Sequence, residues 1–263
     1  MRKKVLFTIA AMIWATPIYA SHPLITDDTN SQGKGRFQLE LNTEFSRDRE
    51  SASGISEVAH GTTASAMLSY GLSDRIDLIA GVPTQWSRLE ENGSVTADNS
   101  GMGDLTLEIK YRLLENRDKG VSLAIKPGVS IPSGDESKGF GNGKVSGGVM
   151  VIATRESKLC SYHVNFGYTR NEYRLADVQN SMRNDIWHAS LAAMVNVSSA
   201  LRAVTDIGIE TNSSRTSDIA PAFIIGGLIY GVSDNMDLDL GIKGGLNRAE
   251  TDTTLLAGIA LRF

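Results

Sequence analysis

The feature that most constrains this chain is a strict two-residue alternation of apolar and polar side chains. From residue 37 to 46 every odd position is apolar or threonine, starting with Phe37, and every even position is polar, starting with Gln38. Similar alternation recurs over 105–113, 201–210 and 236–243. Side chains of a β-strand point alternately to its two faces, so this pattern predicts strands with one apolar and one polar face.

Twelve segments read as such strands, and most are 10–13 residues long. That length crosses a bilayer at a tilt, and an even count places both chain ends on one side. The fold class we predict is all-β, a transmembrane antiparallel up-and-down β-barrel of about 12 strands. The predicted strands are 36–46, 57–70, 75–86, 103–113, 120–131, 145–154, 159–168, 185–197, 200–211, 219–230, 235–245 and 253–263.

The connections between these segments are sorted by length, which separates a membrane barrel from a soluble sandwich or lipocalin-like barrel. Short turns near 71–74, 115–119, 155–158, 198–199 and 231–234 alternate with longer polar stretches at 47–56, 87–101, 132–144, 169–185, 212–218 and 246–252. Outer-membrane barrels have short periplasmic turns and long extracellular loops. The 41% hydrophobic content and mean hydropathy of −0.13 agree with a barrel whose strands face a polar lumen on one side.

The N-terminus reads as an export signal. Basic residues at 2–4 precede an apolar run over 5–15, and small residues end at Ala20. The run is too short for a stable anchor, so a Sec-type signal peptide over 1–20 is predicted, with an uncleaved anchor as the less favoured alternative. Residues 21–34 then form an N-terminal periplasmic segment or a partial plug, and 35–263 form the outer-membrane β-barrel of a Gram-negative bacterium.

Charged and polar residues on the inner faces are the candidate functional residues. Opposed charges there could tune a pore, or could pair and fill a lumen too narrow to conduct. The lumen-lining candidates are Glu40, Asn42, Glu44, Asp77, Glu108, Lys110, Arg112, Lys126, Arg202, Asp206, Glu210, Asp237, Asp239 and Lys243.

Aromatic residues near the strand ends are candidates for the interfacial girdles. Tyr70, Tyr111 and Tyr230 belong to the periplasmic level, and Trp86 and Trp187 to the extracellular level. Aromatics make up only 6% of the chain, so the girdle is sparse. Outer-membrane lipids are the expected surroundings.

The C-terminus resembles the signal that the barrel-assembly machinery recognises. Gly258, Leu261 and the terminal Phe263 match it, whereas Leu256 stands where a polar residue is more common. The assembly machinery is therefore an expected partner during biogenesis.

Enzymatic, metal and nucleic-acid functions are not favoured. His188 and Ser190 share a strand face, but Asn196 is roughly 20 Å away at strand rise, too far to orient the histidine. The other histidines lack metal-ligand spacing, and the single cysteine, Cys160, argues against a disulfide framework. The net charge of −4 gives no reason to expect nucleic acid. We predict no enzyme, no cofactor and no metal.

Residues 22–29, 32–35 and 37–41, which read HPLITDDT, QGKG and FQLEL, resemble the N-terminus of the outer-membrane family labelled "MetA-pathway of phenol degradation" or "transporter". Asn30 and Ser31 stand where that pattern has a glycine and a small hydroxyl residue. The two similar turns YGLSD at 70–74 and YGVSD at 230–234 also fit. The resemblance implies a barrel linked by name to the uptake of aromatic or hydrophobic compounds.

Two functions therefore remain open. The favoured one is an outer-membrane channel or transporter for passive uptake of small solutes, including aromatic or hydrophobic compounds. The alternative is a non-conducting structural or surface-interaction barrel that acts through its extracellular loops.

Overall fold

The computed structural model describes residues 22–52 and 54–263, so the predicted leader and Ser21 lie outside the described residues. One short helix, α1 (Ala176–Ser181), and a 3-10 turn (Glu136–Lys138) lie between strands. The described strands are β1 (Phe37–Ala52), β2 (Ile55–Ser73), β3 (Ile76–Glu91), β4 (Ser94–Met102), β5 (Leu105–Asn116), β6 (Val121–Ile131), β7 (Ser146–Glu156), β8 (Cys160–Arg170), β9 (Asp185–Asn196), β10 (Leu201–Glu210), β11 (Ala222–Ser233), β12 (Met236–Gly245) and β13 (Thr253–Arg262).

The strands close into a barrel of twelve. Each strand from β5 to β12 pairs antiparallel with the next, β13 pairs with β1, and β1 pairs with β2. The ring is completed by β3, which pairs with β2 and, over Ile76–Gly81, with β5. The remaining strand, β4, pairs only with the far half of β3. The predicted antiparallel barrel of about 12 strands is confirmed.

The two faces of the sheet differ in the way the alternation predicts. In β1, Leu41 is 44% exposed on the outside whereas its neighbour Asn42 is 6% exposed on the inside. Large apolar residues with over a third of their surface exposed recur around the barrel, among them Phe45, Val164 and Leu240. An outer surface of this kind is stable in contact with lipid hydrocarbon rather than water.

Two predicted loops are wrong. Residues 47–52 and 54–56, and residues 87–101, belong to β-hairpins that continue β1–β2 and β3–β4 well past the closed barrel. Both stretches are rich in polar residues because strands that extend beyond the membrane can contact water on both faces. Alternation therefore disappears there although the hydrogen-bonded ladder continues, which is why the pattern misses these strands.

The strand predicted over 219–230 begins at Ala222 instead, directly after Pro221. Both faces of this strand are apolar in the sequence, so alternation alone does not say which face is inside. The structure resolves them: Phe223, Ile225 and Ile229 are buried inside, and Ile224 is exposed outside. Within the described ranges, no helix combines the length and the apolarity that crossing a membrane requires.

Candidate functional site in the barrel lumen

Residues 22–36, called here the N-terminal segment, lie within the barrel before β1 begins. Thr26, Asp27 and Thr29 are at most 1% exposed. Thr26 hydrogen-bonds Asp206 of β10 at 2.7 Å, and the Thr29 amide donates to Thr154 of β7 at 3.2 Å. Because these partners belong to different parts of the wall, the segment occupies part of the lumen.

Asp27 is the ionic centre of this arrangement. Its carboxylate lies 2.9 Å from the Lys126 ammonium and 3.3 Å from that of Lys110, and Lys126 is also 3.5 Å from Glu108. Burial alone would raise the pKa of Asp27, but the two lysines outweigh it and bring the value down to about 2. Asp27 therefore neutralises a pair of buried lysines that would otherwise repel each other.

Two wall carboxylates hold the backbone of the segment. Asp206 accepts hydrogen bonds from the amides of Ile25 and Thr26 at 2.8 and 2.7 Å. Asp77 accepts one from the Ser31 hydroxyl at 2.6 Å and one from the Gln32 amide at 3.1 Å. An irregular segment has no ladder to satisfy its amides, and these carboxylates supply the missing acceptors.

Apolar contacts hold the segment as well. Leu24 packs against a buried group on β9, β10 and β11, and Ile25 packs against two further groups. Among the contacts of Ile25 is the cluster that contains Leu256, the residue that departs from the assembly signal. An apolar residue at 256 is thus explained by its inward packing. The groups are Ala192, Val204 and Ile229 for Leu24, and Ala124, Met150, Ile152, Phe223, Ile225 and Leu256 for Ile25.

The segment leaves the lumen beside the turn between β2 and β3. The Gly35 amide donates to the Gly71 carbonyl at 2.7 Å, and the Gly71 amide donates to the Arg36 carbonyl at 2.9 Å. A Cβ atom on Gly71 would overlap the backbone of Gly33. The glycine of this YGLSD turn is therefore needed for close approach of two backbones.

A cavity of about 350 Å3 lies between the segment and a wall formed by β1, β12 and β13, with single residues from β5, β9, β10 and β11. At one edge, Arg202 and Arg262 each donate to Asp237 at 2.7 Å. The apolar side chains of Met194 and Ile229 also line the cavity. The lumen thus retains a space with both ionic and apolar walls.

The structure places all the lumen-lining candidates on inward-facing strand positions. Most of them form ion pairs or bind the segment. Outside that network, Lys243 pairs with Glu250 at 3.0 Å, and Arg112 lies 3.7 Å from Glu115. Glu44 shares the face of Glu40 and Asn42 but does not line the cavity.

Sequence reasoning missed the residues that join the wall to the segment. His22 hydrogen-bonds Asp239, and Asp27, Thr26 and Ser31 make the contacts described above. These residues lie in a stretch without strand periodicity, so only the polar composition of 26–31 marked them. Arg262 was missed because the recognisable signal in the final strand lies in its apolar and glycine positions.

His188 has a third partner that sequence spacing did not reveal. Its Nε2 lies 3.0 Å from the Ser190 hydroxyl, and its Nδ1 lies 3.4 Å from Glu210. The Ser190 hydroxyl also hydrogen-bonds the Thr26 hydroxyl at 2.7 Å. This histidine, serine and carboxylate therefore form a chain that ends on the N-terminal segment.

The aromatic candidates all lie on outward-facing positions. Tyr111, Tyr230, Trp86 and Trp187 are exposed, and Tyr70 stacks on Phe37 with ring centroids 4.6 Å apart. Trp187 forms a further aromatic cluster: its ring centroid lies 4.7 Å from that of Tyr168 and 5.5 Å from that of Phe166.

The three candidates of the assembly signal lie in or directly after β13. Leu261 is on its outward face, Phe263 is exposed, and Gly258 faces inward beside Asp239. Across the residues described, no cluster of three or more His, Cys, Asp or Glu is arranged to hold a metal ion.

Solved structures that are similar to this chain include an outer membrane channel, a porin and an autotransporter translocator domain. The COG4313 outer membrane channel from Pseudomonas putida F1 superposes with a TM-score of 0.71 at 12% identity, over 90% of this chain and 98% of that one. The KdgM porin gives 0.54 at 10% identity, over 86% and 99%. The translocator domain of autotransporter NalP from Neisseria meningitidis gives 0.52 at 10%, over 88% and 89%.

The fold and the lumen thus define an antiparallel barrel of the outer-membrane type. A family model described as "Putative MetA-pathway of phenol degradation" matches residues 22–263, and the chain belongs to that family. No curated protein matches the chain.

Proposed function

We propose that this protein is an outer-membrane channel for passive passage of small solutes, narrowed by its N-terminal segment. The observation that carries this proposal is that the segment is held inside a twelve-stranded barrel by hydrogen bonds, ion pairs and apolar contacts, which can break and re-form. Eight-stranded barrels are filled by their own side chains, and lumens widen with strand number. In this proposal the leader over 1–20 exports the chain and residues 22–36 act as a partial plug.

Small aromatic or hydrophobic compounds are the solute class that we propose. The cavity offers apolar contacts at Met194 and Ile229, and Leu24 packs beside them. The family description, which names phenol degradation, points to the same class. A solute with an apolar body could use these side chains where a purely hydrophilic one would meet mainly paired charges.

Liposome swelling with the purified protein tests the channel. We expect swelling with small solutes that is faster for a variant lacking residues 22–32, because the segment no longer narrows the lumen. An established porin serves as the positive control. Heat-modifiable gel mobility shows whether each barrel is folded. Absence of flux through both folded forms would contradict the proposal.

A non-conducting surface-interaction barrel is the second candidate. The observation in its favour is that β1–β2 and β3–β4 extend as ordered hairpins beyond the closed barrel. Under this alternative, removing the tip of the β3–β4 hairpin alters cell adhesion or ligand binding while solute flux stays at the wild-type level. Unchanged adhesion together with measurable flux favours the channel.

We also propose that the protein is not an enzyme, although His188, Ser190 and Glu210 are arranged as a hydrogen-bonded chain. Ser190 is buried and its hydroxyl is bound by Thr26, which leaves no approach for an ester. We therefore expect no covalent labelling by a fluorophosphonate probe. Labelling of the wild type that Ser190→Ala abolishes would contradict this.

A further inference from the structure

The deep end of the cavity contains more hydrogen-bond acceptors than donors. Glu40 is 2% exposed and Asn42 is 6% exposed, and both line the cavity on β1. Asp239 of β12 reaches the same place, because Asn42 and Asp239 both pair with Gly258. A Cβ on Gly258 would lie 2.6 Å from the Asn42 oxygen and 2.5 Å from an Asp239 oxygen. Asn42 and Asp239 therefore meet above one glycine, and Glu40 lies two residues before Asn42 on the same strand face.

Two buried atoms in this group have no hydrogen-bond partner among the described residues. They are the Asn42 Oδ1 and the His22 Nε2. The other nitrogen of His22 is bonded to Asp239. Donation from Nδ1 to that carboxylate makes Nε2 a further acceptor. An unpaired buried polar atom is costly, so these atoms indicate a missing donor.

Three of the four arginines and lysines that line the cavity are bound to other groups, and the fourth, Arg36, is exposed. Arg202 and Arg262 both bind Asp237. Lys110 binds Asp27 and the Asp28 carbonyl, each at 3.3 Å. Glu40 receives a hydrogen bond from Gln38 and has no ion pair within the described residues. The deep end thus presents a buried carboxylate without a neutralising cation.

We propose that this end of the cavity binds a primary ammonium group. Such a group carries one positive charge and three N–H donors, which match the Glu40 carboxylate, the Asn42 oxygen and the His22–Asp239 pair. The ammonium could belong to a free amine in the lumen. It could equally be the α-amino group that the predicted cleavage after Ala20 would create, one residue before His22 in the sequence.

Calorimetric titration of the purified protein in detergent with propylamine tests the site. We expect saturable binding that propan-1-ol and tetramethylammonium do not reproduce, because one lacks the charge and the other lacks N–H donors. Glu40→Gln and Asn42→Leu should each weaken binding at least about tenfold, since each removes a hydrogen bond to a charged group. Glu44→Gln is the matched control on the same strand face and should bind within about twofold of the wild type. Circular dichroism confirms that each variant is folded.

A second protein form distinguishes the two sources of the ammonium. Two glycines inserted between Ser21 and His22 would move the amino terminus away from the site. Propylamine binding to the wild type and the insertion variant alike indicates a free amine as ligand. Binding to the insertion variant alone indicates the amino terminus of the chain itself. Binding to neither form, or binding that ignores Glu40→Gln and Asn42→Leu, overturns the proposal.

Discussion

At the scale of single residues, Asp27 shows how one carboxylate can couple a segment to a barrel wall. Lys110 and Lys126 are both nearly fully buried, and Asp27 neutralises the charges they place in the lumen. The lysines could not easily be buried together without it, because removing one partner of a buried ion pair leaves an uncompensated charge.

Asp27→Asn is expected to loosen the N-terminal segment. The amide keeps the shape of the carboxylate but leaves two buried lysines without their common counter-ion, a loss of about 3 kcal/mol. The ratio of docked to released segment should fall roughly a hundredfold. Single-channel recording should show larger or more frequent openings than the wild type. Asp118→Asn, in the exposed turn after β5, is the control, and equal conductance in all three proteins would contradict the role given to Asp27.

Low pH should also release the N-terminal segment, because protonation removes the charge of Asp27. The pKa of Asp27, which precedes the first strand, is lowered from 3.8 to about 2 by the two lysines. A depressed pKa stabilises the docked form above the ordinary pKa, and that contribution is lost as the pH falls toward the depressed value. We expect conductance to rise between about pH 4 and pH 2. The Asp27→Asn protein should lack this transition; an identical rise in the variant would exclude Asp27 as its cause.

At the scale of elements, β3 differs from the other strands because it has two successive partners on one edge. Its first half pairs with β5 and its second half with β4. Gly103 and Asp104 separate those two partners. On this edge of β3 the closed ring therefore depends on Ile76–Gly81, whereas the part of β3 from Thr84 onward pairs with β4 on this edge and with β2 on the other.

Deleting residues 88–98 should consequently shorten the projection without opening the barrel. The β3–β5 ladder lies on the other side of Pro83 and loses no hydrogen bond. We expect the thermal transition of the heat-modifiable band to shift by no more than about 3 °C, as for changes away from a core. Deleting 76–80 from the β3–β5 ladder is the comparison and should abolish the folded band. Loss of the folded band in the hairpin deletion would contradict this division of β3.

At the scale of the whole molecule, closure depends on the pairing of the first strand with the last. Ten consecutive residue pairs join β1 to β13, from Gln38 with Arg262 to Arg47 with Thr253. A closed sheet leaves no edge of unpaired amides and carbonyls, which hydrocarbon could not solvate.

A disulfide across this seam tests closure and register together. Thr43 and Ala257 are direct partners, so Thr43→Cys with Ala257→Cys, in a Cys160→Ser background, should cross-link on mild oxidation. The cross-linked band is read on non-reducing gels after denaturation. Thr43→Cys with Leu261→Cys, four residues out of register, is the control and should remain uncross-linked. Cross-linking of the control in preference to the matched pair would show a different register.

The fold could be predicted because neighbouring residues of a strand point to its two opposite faces. Phe37 and Gln38 indicate an outside and an inside without reference to any distant residue. The hairpins at 47–56 and 87–101 were missed for the complementary reason, since no lipid face imposes an alternation on strands that water surrounds.

The site depended on the tertiary structure. Thr26 and Asp206 are 180 positions apart, and His22 and Asp239 are 217 apart, so no local pattern could pair them. The sequence by itself determined which side chains face inward along each strand, because that choice follows from a period of two. Only the closed barrel decided which inward residues meet and that residues 22–36 lie among them, because those contacts arise when strands distant in the chain surround a common space.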